Sequence, residues 1–247
     1  MRKLILFDID GTLIQSNGVG SKAMCRTMAS LVGRDDSIQR VEMAGMCDWG
    51  IWREALASEG FTKTEADAQL PDLWRRYILE LATILASPEH KHPEILPGVY
   101  PLLEALHQRD DVLLGLLTGN VEAGARLKLG KVGLGHFFPF GAFGDDAAER
   151  AQLPLIAVER AAPFAEGKRF TGKEIVIIGD TIHDVYCGVT LGVCAVAVAT
   201  GPTDAATLRA TGADFVFESL EQTDEVLRAL LGSAAGKVQR EIRYDSV

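Results

Sequence analysis

The stretch LILFDIDGTL at residues 4–13 decides the fold, because four apolar residues run without interruption into two closely spaced carboxylates. A short continuous apolar run is typical of a parallel strand that is buried on both faces. In open α/β sheets the carboxyl ends of such strands hold the ligands. Asp8 and Asp10 therefore stand where a ligand site is expected.

The two carboxylates would repel each other unless a cation lies between them. Mg²⁺ prefers carboxylate oxygens and also binds substrate phosphate, so it would offset this repulsion. Gly11 lets the backbone turn sharply and approach a ligand, and Thr12 adds a hydroxyl. A plain acidic turn after a strand is the competing interpretation of a bare Asp-x-Asp, but the longer string is more specific.

Strands and helices alternate in the rest of the chain, outside residues 15–97. Apolar runs that end in turn-like residues predict strands at 112–117, 174–178, 193–198 and 214–217. Apolar residues at helical spacing predict helices at 120–130, 151–162, 182–191, 204–211 and 220–231. This alternation predicts an α/β fold in which a Rossmann-like parallel sheet carries helices on both faces.

Residues 15–97 break the alternation, with helical patterns at 21–32, 49–59 and 71–85 and no convincing strand. They predict an all-helical cap domain, inserted into a catalytic core formed by residues 1–14 and 98–232. The chain returns to the core through a polar stretch that contains several prolines. The tail, residues 233–247, is expected to be loosely ordered.

Composition narrows the class of protein. The 247 residues, 47% hydrophobic and 24% charged, are typical of a globular protein that buries a sizeable core. A net charge of −9 argues against a nucleic-acid polymer or an anionic membrane as partner. The four cysteines form no CxxC pair, and the N-terminal apolar run is too short for a signal peptide, so we expect a cytoplasmic protein. The oligomeric state stays open.

Two more loops should meet the first at the same edge of the sheet. Thr118, Gly119 and Asn120 follow the second strand of the core and offer a hydroxyl, a glycine amide and a helix start, which together suit phosphate. Alternatively, Thr118 or Asn120 only caps the helix. Asp180 and Asp184 follow another strand. Asp180 could complete the oxygen shell of the cation, and Asp184 could bind the cation, hold the loop or favour the helix dipole.

These motifs, Asp8-x-Asp10-Gly11-Thr12, then Thr118, then Gly179-Asp180-x-x-x-Asp184, resemble the haloacid dehalogenase superfamily of phosphohydrolases with a helical, C1-type cap. The resemblance implies that Asp8 attacks phosphorus to form an aspartyl-phosphate. It implies that Asp10 is the general acid and base, with its pKa raised by burial and by its carboxylate neighbour. The implied Mg²⁺ ligands are Asp8, the main-chain carbonyl of Asp10 and Asp180, with Asp184 as a further candidate. The implied phosphate contacts are Thr118, Gly11, Thr12, Gly119 and Asn120.

The family usually has a lysine, often followed by proline, between the second and last motifs, and this chain has no Lys-Pro. Arg150 stands at about the expected place and would restrain Asp8 and offset phosphoryl charge. Lys168 and Lys173 are its rivals. In the cap, Asp48 either contacts substrate or caps the helix predicted to begin at Trp49.

The resemblance implies a Mg²⁺-dependent phosphatase for a small phosphomonoester, such as phosphoglycolate, a sugar phosphate or a nucleotide. Asp10 argues against a true dehalogenase, because halide leaves without a proton. Three alternatives stay open. The first is a phosphomutase, and the second is a phosphonate hydrolase, for which Lys22 is the only early lysine of the cap. The third is a silent regulatory module that binds phosphate or metal.

Overall fold

The structure is a computed structural model that describes residues 2–232, so the predicted tail, 233–247, lies outside the described residues. The strands, in chain order, are β1 (Lys3–Phe7), β2 (Ile14–Gln15), β3 (Glu94–Ile95), β4 (Val112–Leu117), β5 (Gly141–Ala142), β6 (Ile175–Gly179), β7 (Cys194–Val198) and β8 (Phe215–Phe217). The main sheet has six parallel strands in the order β5-β4-β1-β6-β7-β8, and a separate two-stranded ribbon pairs β2 with β3.

Strand β1 lies between β4 and β6 and is buried on both faces. Leu6 is paired with Gly115 of β4 on one side and with Ile177 of β6 on the other, both in parallel register. Residues 4–7 are fully buried, which explains why this strand reads as an unbroken apolar run. The predicted α/β fold with a parallel sheet is confirmed.

Helices cover both faces of the sheet, and alternate residues of β1 pack on opposite sides. The helices are α1 (Val19–Val32), α2 (Asp36–Gln39), α3 (Asp48–Ser58), α4 (Lys63–Ala86), α5 (Val99–His107), α6 (Glu122–Lys131), α7 (Leu153–Ala161), α8 (Ile182–Leu191), α9 (Ala205–Ala210) and α10 (Thr223–Leu231). Ile5 and Phe7 join the apolar cluster beneath α5, α6 and α10, whereas Leu4 and Leu6 join the cluster beneath α7 and α8. No helix within residues 2–232 is long and apolar enough to cross a membrane.

Helices α1 to α4 pack around an apolar cluster of their own, in which Trp52 is fully buried. The expectation of no strand in residues 15–97 is wrong, because β2 and β3 pair where the chain leaves and re-enters the sheet domain. Two-residue strands are too short to give an alternating pattern. The predicted start of α4 at Pro71 is also wrong, because the helix begins at Lys63 behind a capping box of Thr62 and Glu65.

We expect the cluster beneath α5 to carry a large share of the stability. Leu103 is fully buried there, so Leu103→Ala should lower the free energy of unfolding by about 2–5 kcal/mol through lost contacts and a residual cavity. Urea denaturation measures this loss. Leu155→Ala is the matched control, because Leu155 is 59% exposed, and it should change stability by less than about 0.5 kcal/mol. Equal losses in the two variants would contradict this account.

Candidate active site

A cavity of about 520 Å³ lies between the carboxyl edge of the main sheet and the cap helices. Loops after β1, β4, β6 and β7 form its floor, and residues of α1, α3 and α4 together with the loop 43–46 form its cap side. The predicted convergence of three polar loops at one edge is therefore observed. The Thr200-Gly201 loop after β7 also lines the cavity and was not predicted to belong to it.

Three buried carboxylates form a cluster on this floor. Oxygen atoms of Asp8, Asp180 and Asp184 all lie within 4.8 Å of one another. Burial raises the pKa of Asp8 to about 6, against the opposing effect of Arg150 and with added repulsion from Asp184. Burial, with repulsion from Asp8 and Asp184, also raises the pKa of Asp180 well above its ordinary value.

This donor set suits a hard divalent cation such as Mg²⁺, which takes oxygen ligands and lowers the repulsion among carboxylates. Asp180 is held by Thr12, whose hydroxyl donates to Asp180 Oδ1 at 2.9 Å. Thr12 is fully buried and its hydroxyl orients Asp180, while its contact with phosphate stays a prediction. Gly11 has a φ of +83°, and a Cβ there would lie 2.3 Å from Asp180 Oδ2, so glycine is required for this close approach.

Asp184 uses both carboxylate oxygens on protein donors. Oδ2 accepts hydrogen bonds from the Thr181 amide at 3.0 Å and the Thr181 hydroxyl at 2.7 Å, which completes a capping box at the start of α8. Oδ1 accepts from Arg150 Nη2 at 2.5 Å. Of the alternatives predicted for Asp184, this arrangement favours holding the loop over direct metal binding.

Arg150 is the buried cation next to the proposed nucleophile. Its Nη2 lies 3.1 Å from Asp8 Oδ1 as well as 2.5 Å from Asp184 Oδ1. The rivals lie elsewhere: Lys168 pairs with Glu174, and Lys173 pairs with Asp214. Of these three candidates, only Arg150 lines the cavity.

The loop of Thr118, Gly119 and Asn120 does not cap the following helix. Helix α6 begins at Glu122, and its N-cap residue, Val121, offers no side-chain cap. Carboxylates from other segments accept hydrogen bonds from the first amides of the helix instead. Asp48 Oδ2 accepts from the Val121 amide at 2.9 Å, and Asp145 Oδ1 accepts from the Glu122 amide at 3.0 Å. Asn120 Nδ2 instead donates to the Thr118 hydroxyl at 2.9 Å.

Gly119 permits the cap loop to lie directly on this part of the core. A Cβ at Gly119 would lie 1.9 Å from the carbonyl oxygen of Met46, so no other residue fits without movement. Two backbone hydrogen bonds hold the cap there: the Asp48 amide donates to Gly119 O at 2.7 Å, and the Trp49 amide donates to Gly144 O at 3.2 Å. The cavity is therefore covered by a cap that is docked on the phosphate-binding candidates.

Asp10 does not join the carboxylate cluster through its side chain. Lys128 Nζ donates to both Asp10 oxygens, at 3.0 and 2.8 Å, and Asn120 Nδ2 donates to Oδ2 at 2.7 Å. Burial opposes ionisation, but the charge and hydrogen bonds of Lys128, with those of Asn120, outweigh it and lower the pKa of Asp10. The expectation of a raised pKa is therefore wrong.

Sequence reasoning missed Lys128 altogether. The helical spacing of the sequence contains a signal for this residue. Lys128 follows Ala125 by three residues and precedes Leu129, so it lies on the buried stripe of α6, where a lysine needs a carboxylate or another hydrogen-bond acceptor. Lys22, the early lysine of the cap, lies away from the cavity lining, where it is an exposed partner of His90.

Asp48 is not the N-cap of α3, as was predicted as one alternative, because it is the first helical residue and Cys47 precedes the helix. Its carboxyl group is buried, lines the cavity and accepts from the Val121 amide of the core. Burial raises its pKa to about 7, although the Val121 amide and Lys128 act in the opposite direction.

Comparisons with known proteins agree with the motifs. A family model described as haloacid dehalogenase-like hydrolase matches residues 5–188. The phosphoglycolate phosphatase of Pseudomonas fluorescens strain Pf-5 is 27% identical over 202 residues, which cover 81% of this chain and 70% of that protein. Phosphoglycolate phosphatase 1 of Pseudomonas aeruginosa strain PAO1 is 26% identical over 206 residues, with the same coverage.

Solved structures share the fold at low sequence identity. A hydrolase from Pseudomonas syringae superimposes with a TM-score of 0.66 at 21% identity, covering 92% of this chain and 98% of that one. A predicted phosphoglycolate phosphatase from Haemophilus somnus 129PT gives a TM-score of 0.66 at 18% identity, covering 91% and 97%. At these identities the likeness concerns the fold.

The raised pKa of Asp48 predicts a pH dependence of stability. The folded state keeps a proton that the unfolded chain releases above about pH 4, so the free energy of unfolding falls as pH rises through this window towards 7. We expect the wild type to be more stable at about pH 5.5 than at about pH 8. In Asp48→Asn, which keeps an acceptor for Val121, this difference should shrink by roughly 1–2 kcal/mol.

Urea denaturation of both proteins at the two pH values measures the effect. Asp204→Asn is the control, because Asp204 is an exposed cap of α9 whose pKa is lowered rather than raised. A pH dependence that is the same in the wild type and in Asp48→Asn would contradict the assignment.

Proposed function

Because this chain belongs to the haloacid dehalogenase-like hydrolase family, we propose that it is a Mg²⁺-dependent phosphatase that hydrolyses a small phosphomonoester through an aspartyl-phosphate on Asp8. One observation carries the proposal. The Asp8 carboxylate is buried at the end of the central strand, with Arg150 at 3.1 Å on one side and Asp180 in the same oxygen cluster. A carboxylate nucleophile needs such restraint and such charge compensation.

In this proposal Asp8 attacks phosphorus, and its ion pair with Arg150 keeps it ionised and fixes its orientation. Arg150 also offsets charge that gathers on the phosphoryl oxygens. Its own position is fixed by Asp184, whose other oxygen is held by Thr181. A planar guanidinium is suited to bridging two carboxylates, which gives arginine a physical basis for the place of the usual lysine.

Asp8, the main-chain carbonyl of Asp10 and Asp180 are the proposed ligands of Mg²⁺, with Asp184 beside them. When bound, the ion supplies positive charge that offsets the negative charge of the carboxylates and the phosphoryl group. Thr12 holds Asp180 in orientation for this purpose. The oxygen-only donor set and the family favour Mg²⁺ as this ion.

Asp10 is the proposed acid and base. In its protonated form Asp10 gives its proton to the leaving-group oxygen as Asp8 attacks and the P–O bond breaks. The resulting carboxylate later takes a proton from the water that hydrolyses the aspartyl-phosphate, which restores the acid form. Its pairing with Lys128 favours the ionised form, which is the form required for the second step. Thr118, Gly119, Asn120 and Gly11 surround the same floor and are the proposed contacts of the phosphoryl oxygens.

The cap side of the cavity favours a small substrate. Its lining consists of small, apolar or uncharged residues apart from Asp48. Among the residues that line the cavity, Lys128 and Arg150 are the cations, and both come from the core and are paired with carboxylates. This favours a small phosphorylated metabolite over a polyanion. The names of the curated relatives support phosphoglycolate as the first substrate to test.

Hydrolysis of p-nitrophenyl phosphate by the purified protein tests the proposal. We expect turnover with Mg²⁺, loss of turnover with EDTA, and recovery when Mg²⁺ is restored. Asp8→Asn should abolish activity, and Arg150→Ala should lower it by roughly 100-fold, the scale of a lost charge-stabilising group.

Lys168→Ala is the matched control, since Lys168 pairs with Glu174 away from the cavity, and it should keep near-normal activity. Metal-independent turnover, or turnover that survives Asp8→Asn, would contradict the proposal. A screen of phosphoglycolate, sugar phosphates and nucleoside monophosphates then identifies the substrate class.

A further inference from the structure

Lys128 is a buried cation to which the proposed mechanism gives no direct task. Its side chain is 4% exposed, although it belongs to a residue type that is almost always solvated. Its ammonium donates to both oxygens of Asp10 and, at 2.6 Å, to Asn120 Oδ1. A buried charge is tolerated only when it is paired and hydrogen-bonded, so its location is tied to Asp10 and Asn120.

The contacts of Asn120 make this a closed network. Its amide nitrogen donates to Asp10 Oδ2 at 2.7 Å and to the Thr118 hydroxyl at 2.9 Å, while its amide oxygen accepts from Lys128. The Asp10 carboxylate is thus fixed at three points. Thr118, a proposed phosphate contact, is reached through Asn120 Nδ2 and makes no hydrogen bond to Lys128 itself.

The cap closes over the ammonium from the opposite side. A Cβ on Gly20 of α1 would lie 3.3 Å from Lys128 Nζ and 3.4 Å from the Tyr77 hydroxyl of α4. Glycine at this position lets the cap approach Lys128 Nζ closely, which restricts the access of water to the ion pair of Lys128 with Asp10. The Asp10 side chain, by contrast, is 33% exposed on the cavity side, where a leaving group would lie.

We propose that Lys128 is the positioning residue of Asp10: it holds the acid/base carboxylate, together with Asn120, in the orientation that meets the leaving group. This inference rests on the proposed function, in which Asp10 transfers the proton. Without Lys128, the neutral donors Asn120 and Ser16 would remain to hold a partly exposed carboxylate, and the cation that donates to both of its oxygens would be lost. Misplacement of a catalytic group by a small distance is enough to lower a rate severely.

Two kinds of substrate separate this role from a general structural one. The 4-nitrophenolate group departs readily without a proton, whereas an alkoxide leaving group requires one from Asp10. The measured quantity is kcat/KM, which reports the steps up to formation of the aspartyl-phosphate. The alkyl substrate is whichever of phosphoglycolate, glycerol 3-phosphate and glucose 6-phosphate the wild type hydrolyses fastest.

We expect Lys128→Met to lower kcat/KM for the alkyl phosphate by roughly tenfold or more, and for p-nitrophenyl phosphate by less than about threefold. Lys128→Arg should restore part of the loss, because it returns a cation to the network. Lys131→Met, an exposed lysine of the same helix, is the control and should behave as the wild type. Thermal unfolding of each variant shows whether it is folded, and Lys128→Gln replaces Lys128→Met if the latter is not.

A double-mutant cycle provides the second test. If Lys128 acts through Asp10, its replacement should cause no further loss of alkyl-phosphate activity in an Asp10→Asn background. Equal losses on both substrates, no loss on the alkyl phosphate, or a loss that persists in Asp10→Asn would overturn the inference. Failure of the proposed function is a separate result, recognised when the wild type lacks Mg²⁺-dependent activity or when Asp8→Asn retains it.

Discussion

Negative charge is concentrated at the carboxyl edge of the sheet, where Asp8, Asp180 and Asp184 bring oxygen atoms within 4.8 Å of one another. Burial makes this arrangement costly, as the raised pKa values of Asp8 and Asp180 indicate. The rest of the site compensates for it. Arg150 joins two of the carboxylates, Thr12 restrains the third, and a bound divalent cation would supply the remaining charge.

The fold explains why these groups meet. Strand β1 is buried in the centre of the sheet, so its end and the ends of β4 and β6 open onto one edge. The cap approaches this edge through the backbone of Met46 and Asp48, which requires a glycine at 119. The second ion pair, Lys128 with Asp10, lies beneath the cap helices. The two buried cations of the cavity lining therefore lie next to different carboxylates. Arg150 pairs with Asp8, the proposed nucleophile, and Lys128 pairs with Asp10, which faces the proposed leaving group.

Much of this could be predicted from sequence, because the signals were local. The apolar run before Asp8 and the acidic loop after Ile178 each reveal a strand end, and parallel strands place such ends together. The pairings across the site are not local. Asp10, the partner of Lys128, lies 118 residues away in the sequence; helical spacing places the lysine on the buried stripe of α6, but it does not reveal which group the lysine pairs with. Neighbouring charges that the sequence places far apart also reversed the expected pKa shift of Asp10.

The proposed mechanism requires that Asp8 becomes covalently phosphorylated during turnover. Acid quenching during steady-state hydrolysis of ³²P-labelled p-nitrophenyl phosphate, followed by peptide mapping, tests it most directly. We expect an alkali-labile label on the peptide that contains Asp8, lost on a chase with unlabelled substrate and absent from Asp8→Asn. Turnover with the label on another residue, or label that is unchanged in Asp8→Asn, would contradict it.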